Sequence, residues 1–320
     1  MRIDVHNHAI PEPALDLLRR EPVYGVRIRD GMITGGNHPD FPLEESFFDP
    51  DAKLAQLERM GIGGAIVSIA PTTFYYELDA GAGAEMAHAV NEGLALFAAH
   101  DPGRLRWMAH LPLQSPERAG ALLDDAAARA AVAVEVGTCI AGRRLDEPDF
   151  DAFWGTVERL RMPVMLHPAY NEPHAGMAAY YLQNVIGNML ETTIAVERLI
   201  CAGVLDRHPG VELLLPHSGG YFPYQAGRLR HAAAVRPEFA DSLDPWTYLG
   251  RLWFDTITHD SDALRYLIRR VGSGRVLFGT DLPFDMAPPD PLHELEQAVD
   301  PDALRRVVEQ NPAKLFGLGA

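Results

Sequence analysis

The chain has 320 residues, a net charge of −16, 47% hydrophobic residues and 22% charged residues. This is an ordinary globular composition, and the acidic balance argues against nucleic-acid or anionic-membrane binding. No apolar run reaches about 18 residues and the start has no signal-peptide pattern, so neither a spanning helix nor export is expected. Two cysteines, Cys139 and Cys201, are too few for a disulfide framework, so we expect a cytoplasmic protein.

Short apolar runs alternate with longer amphipathic segments along the whole chain. The apolar runs predict eight strands, at residues 2–6, 64–70, 104–111, 132–137, 163–167, 211–217, 252–256 and 275–280. The intervening patterns predict helices at residues 49–60, 116–129, 149–160, 192–202, 260–271 and 302–310. Eight strand–helix units predict a (β/α)8 TIM barrel. An open doubly wound sheet is the alternative, but no G-x-G-x-x-G turn follows the first strand.

We expect residues 1–320 to form a single barrel domain with one small insertion. Residues 25–42 are rich in glycine and proline, and Gly31 and Gly35–Gly36 are suited to tight turns. The insertion is therefore placed at residues 20–48, after the first strand, as a lid or hairpin.

Five polar side chains stand at the carboxyl ends of predicted strands. His6 and His8 are two apart on the first strand and therefore point to the same side. His167 ends the fifth strand, His217 ends the sixth and Asp281 follows the eighth. Barrel enzymes carry their chemistry at this end, and imidazole and carboxylate groups suit Zn²⁺ or a similar divalent ion. The pattern predicts a metal site.

These residues stand in motifs that resemble the metal-dependent amidohydrolase superfamily. The similarity is greatest to the amidohydrolase-2 group, which contains aminocarboxymuconate semialdehyde decarboxylase and related aromatic-acid decarboxylases. The matching stretches include IDVHNHAIP, FFDPDAKLAQLERMGI, LPLQSPERA, YLGRLWFDTITHD, VLFGTDLPF and the long block from His167 to Arg228. The resemblance implies that His6, His8, His167 and Asp281 bind one divalent ion, Zn²⁺ or in some relatives Mn²⁺, with no organic cofactor. It also implies that His217 handles a proton beside that ion.

Binuclear members of the superfamily often bridge two ions with a carboxylated lysine on the fourth strand. The only lysines here, Lys53 and Lys314, lie outside that predicted strand. Glu135 lies on the fourth predicted strand and could bridge instead, but its position in the middle of the strand is more typical of a buried or solvated polar residue. A mononuclear site is therefore expected.

The substrate-binding residues are predicted partly by resemblance and partly by position. Arg228 matches an arginine that in related decarboxylases reaches the substrate carboxylate from the neighbouring subunit of a homodimer. Pocket positions are also predicted for residues that follow strands 2, 5 and 8, namely Thr72, Thr73, Phe74, Asn171, His174 and Phe284.

One departure concerns the substrate. The semialdehyde decarboxylase has a second carboxylate-binding arginine in a segment that here reads ITGGNHPDFPLEESFFDP and contains none. Arg27 and Arg29 lie upstream, but the likeness does not place them at that position. A dicarboxylic substrate is therefore not expected.

The resulting hypothesis is a metal-dependent, non-oxidative decarboxylase, a carbon–carbon lyase acting on an unsaturated or aromatic carboxylic acid. His217 would relay a proton, and Asp281 would shuttle one to the carbon that loses CO₂. The same residues permit a second hypothesis, a hydrolase or hydratase that opens a lactone or amide or hydrates a double bond. A third is a metal-binding scaffold without turnover.

Overall fold

The computed structural model describes residues 1–36, 38–169, 174–239 and 244–318. Its main sheet contains eight parallel strands in chain order, which confirms the predicted TIM barrel and excludes the doubly wound alternative. These strands are β1 (Ile3–Ala9), β5 (Gly64–Ile69), β6 (Leu105–His110), β7 (Ala133–Gly137), β10 (Val164–His167), β11 (Leu213–Leu215), β12 (Trp253–Asp255) and β13 (Val276–Leu277).

The barrel closes where the first strand meets the segment after the last one. Val5 N–H donates to the Phe278 carbonyl at 2.9 Å, and His8 N–H donates to the Leu282 carbonyl at 2.7 Å. In return, Asp281 N–H donates to the His6 carbonyl at 2.8 Å. These bonds hold the Asp281 backbone against the strand that carries both N-terminal histidines.

Two features of the sequence shape this seam. The register of β1 against β5 shifts between Asp4 and Asn7, which marks a bulge at the residues leading to His6. Gly279 permits a close approach, because a Cβ there would lie 2.9 Å from the His6 Cβ and 3.1 Å from the Asp255 Cβ.

Helices surround the barrel. They are α1 (Glu12–Arg20), α2 (Pro50–Arg59), α3 (Ala80–Ala99), α4 (Pro116–Ala128), α5 (Asp151–Leu160), α6 (Met189–Cys201), α7 (Val204–Arg207), α8 (Phe222–Val235), α9 (Pro245–Leu249), α10 (Ser261–Val271), α11 (Pro291–Ala298), α12 (Pro301–Arg305) and α13 (Asn311–Phe316). None of these helices combines the length and the apolar character that crossing a bilayer requires.

Helix boundaries lie at a capping residue where the sequence provides one. The Asp49 carboxylate accepts hydrogen bonds from the backbone N–H groups of Asp51 and Ala52, so α2 begins where its cap predicts. The predicted helix at 302–310 is different: α12 is short, and a π-helical segment, Arg306–Gln310, joins it to α13. Helix α3 was not predicted, because its Ala- and Gly-rich sequence lacks a clear apolar stripe.

Apolar side chains fill the barrel below its polar end. Their role is packing, and they include Ile3, Val5, Ile66, Met108, Met165, Leu214, Trp253 and Leu277. The functional side chains lie above this layer, at the carboxyl ends of the strands.

Between β1 and α2 the chain forms a small antiparallel sheet of three strands, β2 (Val26–Arg29), β3 (Met32–Gly35) and β4 (Phe41–Pro42). A second short pair, β8 (Cys139–Ile140) and β9 (Arg143–Arg144), follows β7. Gly31 and Gly35 both have positive φ and allow the turns of the first sheet. Phe41 lies on the side of this sheet that faces the barrel, next to Phe284 at 5.5 Å between ring centroids.

Candidate metal centre and cavity

Four of the predicted side chains point their donor atoms at one position. The Nε2 atom of His6 lies 3.1 Å from the Nε2 atom of His8 and 3.1 Å from that of His167. Asp281 Oδ1 lies 3.0 Å from His8 Nε2 and 3.6 Å from His6 Nε2. The structure therefore brings together residues that are up to 275 positions apart (281 − 6).

The opposite ring nitrogen of each histidine faces an acceptor. His6 Nδ1 lies 2.7 Å from Asp255 Oδ2, His8 Nδ1 lies 3.1 Å from the Ile69 carbonyl, and His167 Nδ1 lies 2.7 Å from the Pro168 carbonyl. Because each Nδ1 donates its proton to such an acceptor, each Nε2 carries a lone pair. Three lone pairs and a carboxylate oxygen then face one another, an arrangement that repels unless a cation lies between them.

The spacing fits a first-row divalent ion. Bonds of about 2.1 Å at angles near 90–110° place neighbouring ligand atoms about 3.0–3.4 Å apart. Three of the four observed separations, 3.0, 3.1 and 3.1 Å, match that spacing, and the fourth, 3.6 Å between His6 Nε2 and Asp281 Oδ1, slightly exceeds it. The group can therefore hold a metal ion, with a ligand set that suits zinc or manganese.

Burial governs the protonation of these imidazoles. It lowers the pKa of His8 to about 4 and the pKa of His167 well below the usual histidine value. For His6, burial is again the largest single effect and favours the neutral ring, but the hydrogen bond to Asp255 and the negative charges of Asp281, Asp255 and Asp4 together outweigh it and raise the pKa. Burial alone would raise the pKa of Asp281, yet its contacts with His217 and His8 hold it well below the usual value, so the carboxylate is ionised.

His217 lies beside the four converging groups without being enclosed by them. Its Nε2 atom is 3.7 Å from Asp281 Oδ2, and its Nδ1 atom has no hydrogen-bond partner among the described residues. The residue has a φ of 50°, which is uncommon for a side chain with a Cβ. Its ligand atom falls within 4.8 Å of those of His6, His167 and Asp281. A backbone conformation of this kind costs free energy, and it persists only where contacts with neighbouring residues hold it in place.

Asp255 is the residue that orders this region. One oxygen faces His6 Nδ1 and also accepts the His217 backbone N–H at 2.9 Å, and the other accepts the Ser218 N–H at 2.7 Å. The carboxylate thus fixes both the His6 tautomer and the turn that carries His217. Asp255 stands near the end of the seventh predicted strand, and only the fold shows which groups its carboxylate holds.

Glu135 is the second acidic group near the centre. It is fully buried on β7, with Oε1 4.0 Å from His8 Nδ1. Neither carboxylate oxygen makes a hydrogen bond of ordinary geometry with the described residues, and burial raises the pKa of Glu135 well above the usual value against the opposing effect of the nearby Ser68 hydroxyl. Its ligand atom lies within 4.8 Å of those of His8 and His167, so these three residues form an alternative group for an ion.

A cavity with two lobes opens over the centre. The first, which we call the aromatic lobe, measures about 110 Å³ and is bounded by Phe41, Pro42, Pro71, Tyr181 and Phe284. The second, the tyrosine lobe, measures about 330 Å³ and is bounded by Met189, Tyr221, Tyr224, Ile257 and His259. Asn184, Asn188, His217, Asp281 and Met286 line both. The larger lobe lies at the lower end of the range of about 300–1,000 Å³ found for small-molecule sites.

The predicted substrate-binding residues take different places. Phe284 lines the aromatic lobe and lies 5.4 Å from the His8 ring, centroid to centroid. Thr73 is buried and its hydroxyl donates to the Ala70 carbonyl at 2.6 Å, while its neighbour Thr72 lines the cavity instead. Arg228 is exposed on α8 and does not line either lobe.

The remaining two predictions lie after β10. Asn171 falls outside the described residues. His174 does not line either lobe, and its Nε2 atom lies 2.9 Å from Oε1 of the buried Glu191. Arg144 also pairs with Glu191, at 2.6 Å.

No arginine or lysine stands among the described residues that line either lobe. Arg27 and Arg29 lie on the exposed face of β2, so they do not replace the arginine missing from the segment after them. Sequence reasoning also missed the two asparagines that line both lobes, since no motif marks them.

The chain matches the amidohydrolase family model over residues 3–318. It belongs to the amidohydrolase family. A curated relative, the 2-amino-3-carboxymuconate-6-semialdehyde decarboxylase of Dictyostelium discoideum, is 26% identical over 333 residues, covering 99% of this chain and 89% of the relative.

Two solved structures share the fold of this amidohydrolase. The IDCase of Metarhizium anisopliae in apo form has a TM-score of 0.88 and 23% identity, covering 99% of this chain and 97% of that one. The dihydroxybenzoic acid decarboxylase of Polaromonas sp. JS666, determined with bound manganese and the inhibitor 2-nitroresorcinol, has a TM-score of 0.78 and 22% identity at 99% and 97% coverage.

A buried network lies behind the four converging side chains of this amidohydrolase, His6, His8, His167 and Asp281. Lys53 of α2 is fully buried, and its Nζ atom donates to Asn7 Oδ1 at 2.6 Å and to the His8 carbonyl at 2.9 Å. The Asn7 amide donates to Asp4, which also accepts the Thr280 hydroxyl at 2.6 Å. Burial lowers the pKa of Lys53 to about 7 and raises that of Asp4 to about 6. The network ties α2 and the last strand to β1.

We expect Lys53→Met to lower the free energy of unfolding by about 2–5 kcal/mol, because two buried acceptors lose their donor. Urea unfolding followed by circular dichroism measures the change. The control is Lys314→Met, which removes the other lysine from an exposed position and should change stability by about 0.5 kcal/mol or less. Equal effects of the two substitutions would contradict the role given to the network.

Proposed function

We propose that this amidohydrolase is a metal-dependent, non-oxidative decarboxylase of an unsaturated or aromatic carboxylic acid. The observation that carries the proposal is the convergence of three lone-pair Nε2 atoms and one carboxylate beneath a cavity walled by Phe41 and Phe284. The relative that matches nearly the whole chain is named a decarboxylase, and so is the Polaromonas structure. These findings do not favour the hydrolase or hydratase alternative.

We assign His6, His8, His167 and Asp281 as the ligands of one divalent ion. The expected ion is Zn²⁺, which these nitrogen and oxygen donors suit, and Mn²⁺ is the second candidate because the Polaromonas structure holds manganese. A divalent ion in this position supplies a positive charge that stabilises negative charge on substrate oxygens.

The rest of the chemistry falls to the protein's own side chains. Decarboxylation breaks one carbon–carbon bond, releases CO₂ and places a proton on the carbon that carried it. His217 lines both lobes and has an unpartnered Nδ1, so it is placed to hold that proton. Asp281 Oδ2 lies 3.7 Å from His217 Nε2, beyond hydrogen-bond distance, and a small rotation of either side chain would let the carboxylate take the proton from Nε2 and pass it to the carbon that loses CO₂. The apolar wall around Phe284 excludes water from the developing charge.

Arg228 completes the proposal from a second copy of the chain. The described residues that line the cavity include no arginine or lysine, and Arg228 is exposed on α8. In a homodimer its planar guanidinium can reach a substrate carboxylate in the neighbouring cavity and bind it through two hydrogen bonds. The small sheet of β2, β3 and β4 contributes Phe41 to the cavity wall, and we assign this sheet as a lid over the cavity.

The activity is tested with purified protein stripped of metal and reloaded with Zn²⁺ or Mn²⁺. The acids are 2,6-dihydroxybenzoate, 5-carboxyvanillate and 2-amino-3-carboxymuconate semialdehyde, with CO₂ release as the readout and lactone opening as the competing assay. We expect CO₂ release that chelation abolishes and metal restores. His217→Asn should lower kcat about 100-fold or more at unchanged metal content.

The matched control for that variant is His293→Asn, a substitution of an exposed histidine on α11, which should leave kcat unchanged. Lactone opening without CO₂ release from any acid would favour the hydrolase. Protein that binds no stoichiometric metal would contradict both hypotheses.

The ligand set is tested through Asp255. Asp255→Asn offers an amide N–H where His6 Nδ1 or the His217 backbone needs an acceptor, and this favours the His6 tautomer with a proton on Nε2. We expect Mn²⁺ affinity, measured from the signal of free Mn²⁺ in electron paramagnetic resonance, to fall about 10–100-fold. Asp262→Asn, at an exposed residue paired with Arg265, serves as the control. Unchanged affinity in the Asp255 variant would exclude its proposed role.

The role of Arg228 is tested by mixing two inactive variants. In a dimer of His217→Asn with Arg228→Met, one cavity retains both native residues only if the arginine comes from the partner. Random reassociation should then restore about a quarter of the wild-type activity. A mixture that stays inactive, or a protein that is monomeric by light scattering, would refute the assignment.

A further inference from the structure

Asn188 is a buried amide that the proposed chemistry leaves unused. It is 6% exposed, lines both lobes of the cavity, and its Oδ1 atom has no hydrogen-bond partner among the described residues. A buried acceptor without a donor costs about 1–3 kcal/mol. A binding site can keep such a residue despite this cost, because a bound ligand then supplies the missing donor.

Local structure does not account for the side chain. Asn188 ends a π-helical segment, Gln183–Asn188, and its amide makes no capping hydrogen bond to the first turn of α6. The Thr192 hydroxyl donates to the backbone carbonyl of Asn188 at 3.1 Å, and any residue at this position provides that carbonyl. The start of α6 therefore does not need an amide here. π-Helical segments of this kind occur frequently at functional sites.

The surroundings also do not account for it. Phe41, Phe284 and Met286 contribute apolar surface to the aromatic lobe, beside polar side chains that include Thr72 and Asp285, and Asn188 Oδ1 still has no donor among the described residues. The metal-binding group lies at the floor of the same cavity, where His217 and Asp281 share the lining with Asn188. A planar acid held over that floor therefore presents its other ring positions to the walls that include Asn188.

We propose that Asn188 is a specificity-determining residue, whose side-chain carbonyl accepts a hydrogen bond from a hydroxyl or amino group on the substrate ring. The inference rests on the proposed function, since it takes the substrate to be an unsaturated or aromatic acid held over the metal. It adds that this acid carries a second polar substituent. An analogue with hydrogen at that position leaves the amide unpaired and binds more weakly.

The test measures binding rather than turnover. The probes are 2-nitrophenol and its derivatives with one further hydroxyl at each remaining ring position, 2-nitroresorcinol among them. Their planar nitro group resembles a carboxylate and does not leave as CO₂. Calorimetry on Mn²⁺-loaded protein should show that at least one dihydroxy isomer binds about 10-fold or more tightly than 2-nitrophenol, the gain of one good hydrogen bond.

Asn188→Leu should remove that gain and leave the affinity for 2-nitrophenol within about 2-fold of wild type. Asn188→Met, with a more adaptable side chain, is the second variant, so that one poorly folded protein does not decide the matter. Met286→Leu changes another residue that lines both lobes and should preserve the gain.

The inference is overturned if no dihydroxy isomer binds more tightly than 2-nitrophenol to the native protein, or if the gain survives in both Asn188 variants. In either case CO₂ release from the acid panel would leave the proposed function standing. A loaded protein that binds none of the nitrophenols would overturn the aromatic substrate class, and with it the role of Asn188.

Discussion

The hydrogen bonds between the first strand and the segment after the last one are the constraint on which this site depends. Asp281 N–H donates to the His6 carbonyl, and His8 N–H donates to the Leu282 carbonyl. The barrel cannot close without bringing Asp281 against His6 and His8. The proximity of these side chains is thus a consequence of closure, and the hydrogen bonds among Asp4, Asn7 and Lys53 stabilise the closed arrangement.

A second constraint acts through hydrogen bonds that orient the rings. His6, His8 and His167 each face a neighbouring oxygen with Nδ1, and the neutral ring that donates its proton there presents a lone pair at Nε2. The acceptor for His6 is Asp255, which also holds the backbone turn of His217. One carboxylate consequently links a proposed ligand to the proposed proton-handling residue. The strained φ of His217 fits this arrangement, because the hydrogen bonds to the Asp255 carboxylate hold the backbone in that conformation.

The sequence predicted the barrel and the meeting of His6, His8, His167 and Asp281 at one end of it, because the strands and the positions of these residues at strand ends follow from short-range patterns. Apolar runs mark the strands, and residues at strand ends must meet once eight parallel strands close. The cavity wall could not be predicted in this way. Of the three candidates after the second predicted strand, Thr72 lines it while Thr73 and Phe74 do not, and Phe41 reaches it from the small sheet. The proposed specificity residue, Asn188, depends on a π-helical segment that no periodicity indicates.

The central claim is that His6, His8, His167 and Asp281 hold one divalent ion at the floor of the cavity. Anomalous diffraction from crystals of the Mn²⁺-loaded protein, collected on both sides of the manganese absorption edge, tests it most directly. The account predicts one strong peak bonded to the three Nε2 atoms and to the Asp281 carboxylate. A peak bonded instead to His8, Glu135 and His167, or no peak at the floor of the cavity, would contradict it.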